Sequence, residues 1–194
     1  MPDTHAPRPG PNVFTRAQLG WEPWLEPLDE AALTPRHLEA LIEAARAKSP
    51  YFRLLARDPD ALEHRTRTDK DIFLNADGGL PRAERELAAA VASRVNGCIY
   101  CASVHARLAA TYSKREADVD RLLAEGPAAD LGERWNAIVA AAAALTATPI
   151  AFDATHVARL RVAGLDDLAI ADLVQAASFF AWANRLMLSL GEAA

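Results

Sequence analysis

From Thr34 onward the apolar residues return every three or four positions, and proline, glycine or a capping residue marks each break. No feature constrains the fold more, because a 3.6-residue period gives a helix an apolar face and denies a strand one. Thr34-Pro35 opens a first helix through Leu38, Leu41, Ile42 and Ala45, with threonine as cap and proline in the first turn. A short helical turn is expected over residues 51–56. Longer helices are expected over 60–73, 81–95, 98–112, 113–123, 133–147, 154–163 and 166–190. The stretch Asn75-Ala76-Asp77-Gly78-Gly79, the pairs Asn96-Gly97 and Gly126-Pro127, and Pro149 and Gly164 separate them. No run combines strict alternation with a strand-rich composition, so the expected class is all-α.

The first third of the chain behaves differently. Residues 1–12 hold four prolines and almost nothing to bury, and are expected to form a mobile arm. Residues 13–33 carry Phe14, Leu19, Trp21, Trp24, Leu25 and Leu28, while Pro23 and Pro27 forbid a continuous helix. This extended segment with aromatic anchors must pack on its own domain or on a neighbouring subunit. The remainder, 13–194, is expected to be one domain, long enough to bury roughly 70% of its unfolded surface. The helix pair around 81–112 and the pair 154–190 are loosely alike, a weak sign of duplication.

A net charge of −5 argues against nucleic acid as a partner, since phosphate binding needs a clustered basic excess. No apolar run reaches the roughly 18 residues of a membrane span, and 137–145 comes nearest. The N-terminus lacks a charged-then-apolar export pattern, so a cytoplasmic location is expected. In that setting two cysteines in a Cys-x-x-Cys point to catalytic or metal-binding thiols more than to a structural disulfide.

Those cysteines are Cys98 and Cys101, followed by His105. At about 100° per residue the three side chains share an arc of roughly 60° on the helix they open. Cysteines at i, i+3 are also spaced to form a disulfide. A nucleophilic thiol must be a thiolate, and three features favour one: the helix N-terminus, His105 one turn beyond Cys101, and Glu86 on the preceding helix. A turn at Asn96-Gly97 would fold that helix back, so that Glu86 orients His105 as a carboxylate does in a triad. One cysteine can then attack a peroxide oxygen and become a sulfenic acid. The other condenses with it and releases water, and an external thiol donor reduces the disulfide.

Other uses of the same residues remain open at this level. Two cysteines and a histidine are three zinc ligands, with His156 or Glu86 as a fourth, although no second closely spaced ligand pair exists. Covalent haem attachment would need histidine directly after Cys101, where Ala102 stands. Two buried cysteines acting as small hydrophobes are the plainest alternative. Glu84 competes with Glu86. His156 reads as a surface or capping residue, His37 and His64 as solvated, and His5 lies in the arm. Trp135 and Trp182 fall in apolar helices where core packing is the default, and Phe179, Phe180 and Trp182 are candidates to line a pocket.

The spacing Glu86, Cys98, Cys101, His105, together with Leu80-Pro81-Arg82-Ala83-Glu84-Arg85-Glu86-Leu87 and Asn96-Gly97-Cys98-Ile99-Tyr100-Cys101, resembles the AhpD-like alkylhydroperoxidases of the carboxymuconolactone decarboxylase family. The segments Phe14-Thr15-Arg16-Ala17-Gln18-Leu19-Gly20-Trp21-Glu22-Pro23-Trp24 and Phe179-Phe180-Ala181-Trp182-Ala183-Asn184-Arg185-Leu186 resemble its uncharacterised peroxidase-related branch. The resemblance implies an all-helical fold with the Cys-x-x-Cys helix packed on the preceding one, and a homo-oligomer. It also implies reduction of organic hydroperoxides by a dithiol cycle without metal or organic cofactor. Cys101 would be the peroxidatic thiol, Cys98 the resolving thiol, and His105 and Glu86 the proton relay. Tyr100 stands where the best-studied members place a histidine, so the electron donor is not expected to be their lipoyl-bearing protein. Two further readings stand beside this one. They are a general thiol–disulfide oxidoreductase in which Cys98 attacks, and a redox-responsive binding protein that assembles through residues 14–28.

Overall fold

A computed structural model describes residues 11–194; the arm expected over residues 1–12 therefore lies almost wholly outside the described residues, as does His5. A short strand, β1 (Trp21–Pro23), precedes the helices α1 (Pro35–Leu41), α2 (Pro50–Leu55), α3 (Pro59–Leu74), α4 (Arg82–Val95) and α5 (Ile99–Ser113). They are followed by α6 (Glu116–Glu125), α7 (Glu133–Thr146), α8 (Ala154–Val162), α9 (Asp167–Leu190) and a last strand, β2 (Gly191–Ala193). The expected all-α class holds, with most helix ends within three residues of expectation. α1, expected through Ala45, instead stops at Leu41, where Ile42 turns the chain at φ 63° and Ala45 falls in a separate 3-10 turn over Ala44–Lys48.

The helix starts follow from local chemistry. Thr34 caps α1 with Pro35 in the first turn, and His37 returns the capping bond to the Thr34 N–H. Asp58, Asp153 and Asp166 accept from the first-turn N–H groups of α3, α8 and α9. Each such cap satisfies a donor that the helix cannot, worth about 1 kcal/mol. Ser113 departs from expectation. It closes α5 instead of opening α6, and its Oγ accepts from the Arg115 N–H at 3.1 Å.

Helix α4 is the axis of the bundle, packed by α3, α5, α7 and α9. Leu87, Ala88, Ala89, Ala90, Val91 and Ala92 are all fully enclosed, so this helix is surrounded on every side. Alanines at the facing positions, Ala102, Ala106 and Ala109 on α5, Ala141 and Ala142 on α7, and Ala176 and Ala177 on α9, let the axes approach closely. Polar groups tolerate such burial only when paired, and those of α4 are. Glu84 meets Arg134, Arg85 donates to the carbonyls of Ile72, Asn75 and Leu80, and Ser93 donates to that of Ala89. A smaller apolar cluster, Ala40, Leu41, Ala47, Ala56 and Leu62, joins α1 and α2 to α3.

The extended N-terminal segment packs on its own chain. Arg16 pairs with Asp120 at 2.6 Å, Arg107 donates to the carbonyls of residues 16 and 17, and Arg94 lies over the Phe14 ring at 4.2 Å. Trp21 is buried edge-on against Tyr51, with ring centroids 5.3 Å apart. β1 pairs antiparallel with β2, placing Pro23 opposite Gly191. A side chain at 191 would overlap the Glu22 carbonyl and the Trp21 ring, so the strand after α9 has to begin on glycine.

Candidate active site

The site is built on the α4–α5 hairpin. Gly97 turns the chain at φ 79°, a conformation glycine adopts without penalty, and the Cys98 N–H donates back to the Ser93 carbonyl at 2.9 Å. Cys98 is therefore the N-cap of α5, and Cys101 lies in its first turn. The reversal lays α5 antiparallel on α4 and sets His105 against Glu86, 19 residues earlier in the chain.

His105 Nδ1 and Glu86 Oε2 share a hydrogen bond of 2.6 Å, so Nε2 is the ring nitrogen that Glu86 does not engage. Glu86 is fully buried, and Arg82 binds its other oxygen at 2.6 Å. The imidazole packs edge-on against Phe180, with centroids 3.9 Å apart, and lies beside Phe73 at 5.4 Å. Ring orientation is thus fixed from three sides.

Both cysteines are reduced and buried, with their sulfurs within hydrogen-bonding reach of each other. The pair is asymmetric. A hydrogen bond from the Cys101 thiol pulls the Cys98 thiol below its ordinary value, helped by the Cys101 backbone N–H and the Asn184 amide. The same bond, with burial, pushes Cys101 well above its ordinary value, against a smaller pull from Asn184 and Arg65. Of the two thiols, Cys98 is therefore the more readily ionised and Cys101 the one that keeps its proton longer. The Cys101 sulfur also lies 3.6 Å from Met187 Sδ.

The two sulfurs face different openings. Cys101 lines a cavity of about 330 Å³ together with Glu86, His105, Phe73, Phe180 and Met187. Cys98 lines a groove of about 220 Å³ on the other side, between Trp21, Gly97, Leu188 and the β2 residues. Tyr100 borders both, and burial pushes its hydroxyl pKa up.

The four residues singled out by sequence, Glu86, Cys98, Cys101 and His105, thus converge. Glu84 does not join them, since it forms a two-pronged pair with Arg134 at 2.7 and 2.8 Å. His156 shares a capping box with Asp153 at the start of α8, away from the cysteines. Among the described residues no three His, Cys, Asp or Glu side chains converge as metal ligands. His37 is a capping residue as well, not simply solvated. Trp135 is buried as expected, but Trp182 is 49% exposed on the outer face of α9. The aromatic stripe of that helix splits. Phe180 enters the cavity, Phe179 meets Arg65, and Trp182 faces outward.

Sequence reasoning missed Asn184. It is fully buried on α9, donates to Ser93 Oγ at 3.0 Å and accepts from Asn96 Nδ2 at 3.1 Å. The available signal was one amide on an otherwise apolar helical face, which burial permits only with partners. Arg82, Arg65 and Tyr51 were missed as well, because nothing in their spacing ties them to the cysteines.

A buried, asymmetric pair of thiols beside a carboxylate-oriented histidine is an arrangement whose chemistry suits thiol redox reactions. Residues 59–146, which include all four motif residues, match the carboxymuconolactone decarboxylase family model. Solved structures share the fold over most of their length. An uncharacterized peroxidase-related protein from Ralstonia eutropha JMP134, described as an alkylhydroperoxidase AhpD core, superposes with a TM-score of 0.74 at 24% identity, covering 87% of this chain and 90% of its own. A peroxidase-related protein from Silicibacter sp. TM1040 gives 0.69 at 24% identity over 84% and 88%. The debrominase Bmp8 gives 0.69 at 18% identity over 86% and 89%. No curated protein matches significantly. At these identities the solved structures establish the fold. No helix among the described residues is long and apolar enough to cross a membrane.

Proposed function

We propose that this protein is a thiol peroxidase that reduces organic hydroperoxides through Cys101 and Cys98. The observation that carries the reading is the placement of Cys101 and the oriented His105 on one cavity, with Cys98, the more acidic thiol, hydrogen-bonded to Cys101. Cys101 attacks the terminal peroxide oxygen, the O–O bond breaks, and the alkoxide leaves as an alcohol. His105 takes the thiol proton and delivers it to the leaving oxygen, while Glu86 holds the ring and balances its transient charge. The product at Cys101 is a sulfenic acid. The Cys98 thiolate then attacks that sulfur, a disulfide forms, and the expelled hydroxide takes a proton and leaves as water. An external dithiol supplies two electrons and two protons to restore the pair.

The lowered pKa of Cys98 does not contradict this division of labour. A resolving thiol must be ionised when the sulfenic acid forms, whereas Cys101 can lose its proton in the attack itself. The groove beside Cys98 gives a reductant a route separate from the peroxide cavity. The same groove favours a second reading, thiol–disulfide exchange begun by Cys98.

The Cys98→Ser variant separates the two. Under the peroxidase reading it still reacts with peroxide and accumulates a Cys101 sulfenic acid that dimedone traps, and Cys101→Ser is inert. Full peroxide reactivity in Cys101→Ser, or no peroxide reaction of Cys98→Ser, sinks the peroxidase reading. A homo-oligomer is expected as well. Trp24, at 60% exposure, and the half-exposed Trp182 are the surface residues that support it, and sedimentation at equilibrium tests it.

A further inference from the structure

The cavity in front of Cys101 holds more cationic donor capacity than the protein itself uses. Four cations line it, Arg46, Arg65, Lys70 and Arg82, against three carboxylates, Glu43, Asp69 and Glu86. Arg82 is taken by Glu86, and Lys70 binds Glu43 at 2.5 Å. Arg46 shares that same Glu43 at 3.6 Å, and Arg65 reaches Asp69 only at 3.7 Å, beyond hydrogen-bond distance. The Arg65 side chain is only 9% exposed, yet its Nε and Nη1 have no hydrogen-bond partner among the described residues. Arg46 Nη1 likewise has no partner among the described residues. The buried Tyr51 hydroxyl has none at hydrogen-bond distance, although burial raises its pKa and Arg65 lies near enough to draw it partly back down.

Buried donors without acceptors are costly, and a guanidinium costs more than an amide. The surroundings hold Arg65 in place all the same. Its guanidinium lies 5.4 to 5.8 Å from the rings of Phe179, Phe52 and Tyr51, a flat aromatic collar that fixes the plane of the fork without satisfying it. The ligand that completes such a fork is planar, singly charged and rich in acceptors, which describes a carboxylate. The rest of the wall near Cys101 is apolar, with Phe73, Val104, Leu108, Phe180 and Met187.

We propose that the cavity is built for an apolar carboxylic acid whose carboxylate is held by Arg65, Arg46 and Tyr51. On the peroxidase reading, on which this part rests, the preferred substrate is then an organic hydroperoxide bearing a carboxylate. A cavity of about 330 Å³ is at the small end of ligand sites and suits a compact acid.

Calorimetric titration of the wild-type protein with 4-phenylbutyrate and with 4-phenylbutanamide, at low ionic strength, tests the site without any redox chemistry. The carboxylate is expected to bind at least tenfold more tightly. Arg65→Gln is expected to remove that preference, and Arg159→Gln, on exposed α8, to retain it. Equal or undetectable binding of the two probes by the wild type overturns the proposal, and so does an Arg65→Gln variant that keeps the preference. Because the wild-type comparison stands alone, poor folding of a variant cannot rescue the idea. Thiol oxidation by 4-(2-hydroperoxypropan-2-yl)benzoate against cumene hydroperoxide then asks whether the acid group also steers the reaction. Probe discrimination without oxidation by either peroxide would discard the peroxidase reading and keep the carboxylate site.

Discussion

Replacing Asn184 by alanine should destabilise the protein and move the reactivity of Cys98 to higher pH. The side chain is fully buried and makes two hydrogen bonds, to Ser93 and from Asn96. Each is worth about 0.5–1.5 kcal/mol net, and the hole left behind adds about 1 kcal/mol. Neither partner is stranded, which bounds the cost. Ser93 still donates to the Ala89 carbonyl, and Asn96 is half-buried and can reach water. The expected loss is about 2–4 kcal/mol, equivalent for a chain of this length to roughly 4–16 °C in Tm. The Asn184 amide also helps to lower the Cys98 thiol, so its removal leaves less thiolate at neutral pH. Urea denaturation and the pH profile of iodoacetamide alkylation read the two effects on one preparation. An unchanged midpoint with an unchanged alkylation profile would refute the claim that Asn184 joins the bundle to the thiols.

Glu86→Gln preserves the shape of the side chain and removes its charge; it should slow oxidation of Cys101 by about 10²-fold and cost about 1–3 kcal/mol in stability, and a wild-type rate in stopped flow would contradict the relay. Lys114 ends α5 at φ 61°, where a side chain is strained, so Lys114→Gly should stabilise the exposed cap by up to about 1 kcal/mol in urea unfolding. Hydrogen bonds from Thr155 and His156 lower the Asp153 carboxyl to about 2. Because that value lies below the unfolded one, the cap of α8 contributes fully above about pH 4 and is lost as pH falls through about 2. A carboxyl-carbon NMR titration should place the Asp153 midpoint near 2, and a midpoint near 4 would show that the capping box is open.

Much of this was legible in the sequence, for identifiable reasons. The start of α1 at Thr34 is a local event, set by one oxygen and a few N–H groups, so a short window reveals it. The starts of α3, α8 and α9 fall within one residue of expectation for the same reason, with Asp58, Asp153 and Asp166 as their caps. The Glu86–His105 contact was legible because Gly97 forces a tight reversal and the two helices then run side by side. The choice between Glu84 and Glu86 was not, since both face inward. Only the position of Arg134, 50 residues away, shows that Glu84 is already occupied. Asn184, Arg65 and Tyr51 reach the site from α9, α3 and α2, and no periodicity within those helices reports on a cysteine in α5. Trp182 misled for the opposite reason. α9 is apolar on nearly all faces, and composition alone does not tell which face turns outward.

The central claim is that Cys101 is a peroxide-reducing thiol resolved by Cys98. Mixing pre-reduced protein with cumene hydroperoxide in stopped flow, with mass analysis of the quenched product, tests it most directly. The account predicts thiol loss well above the rate of free cysteine and an intramolecular Cys98–Cys101 disulfide as product. Loss no faster than free cysteine, or oxidation that leaves the two cysteines unlinked, would contradict it.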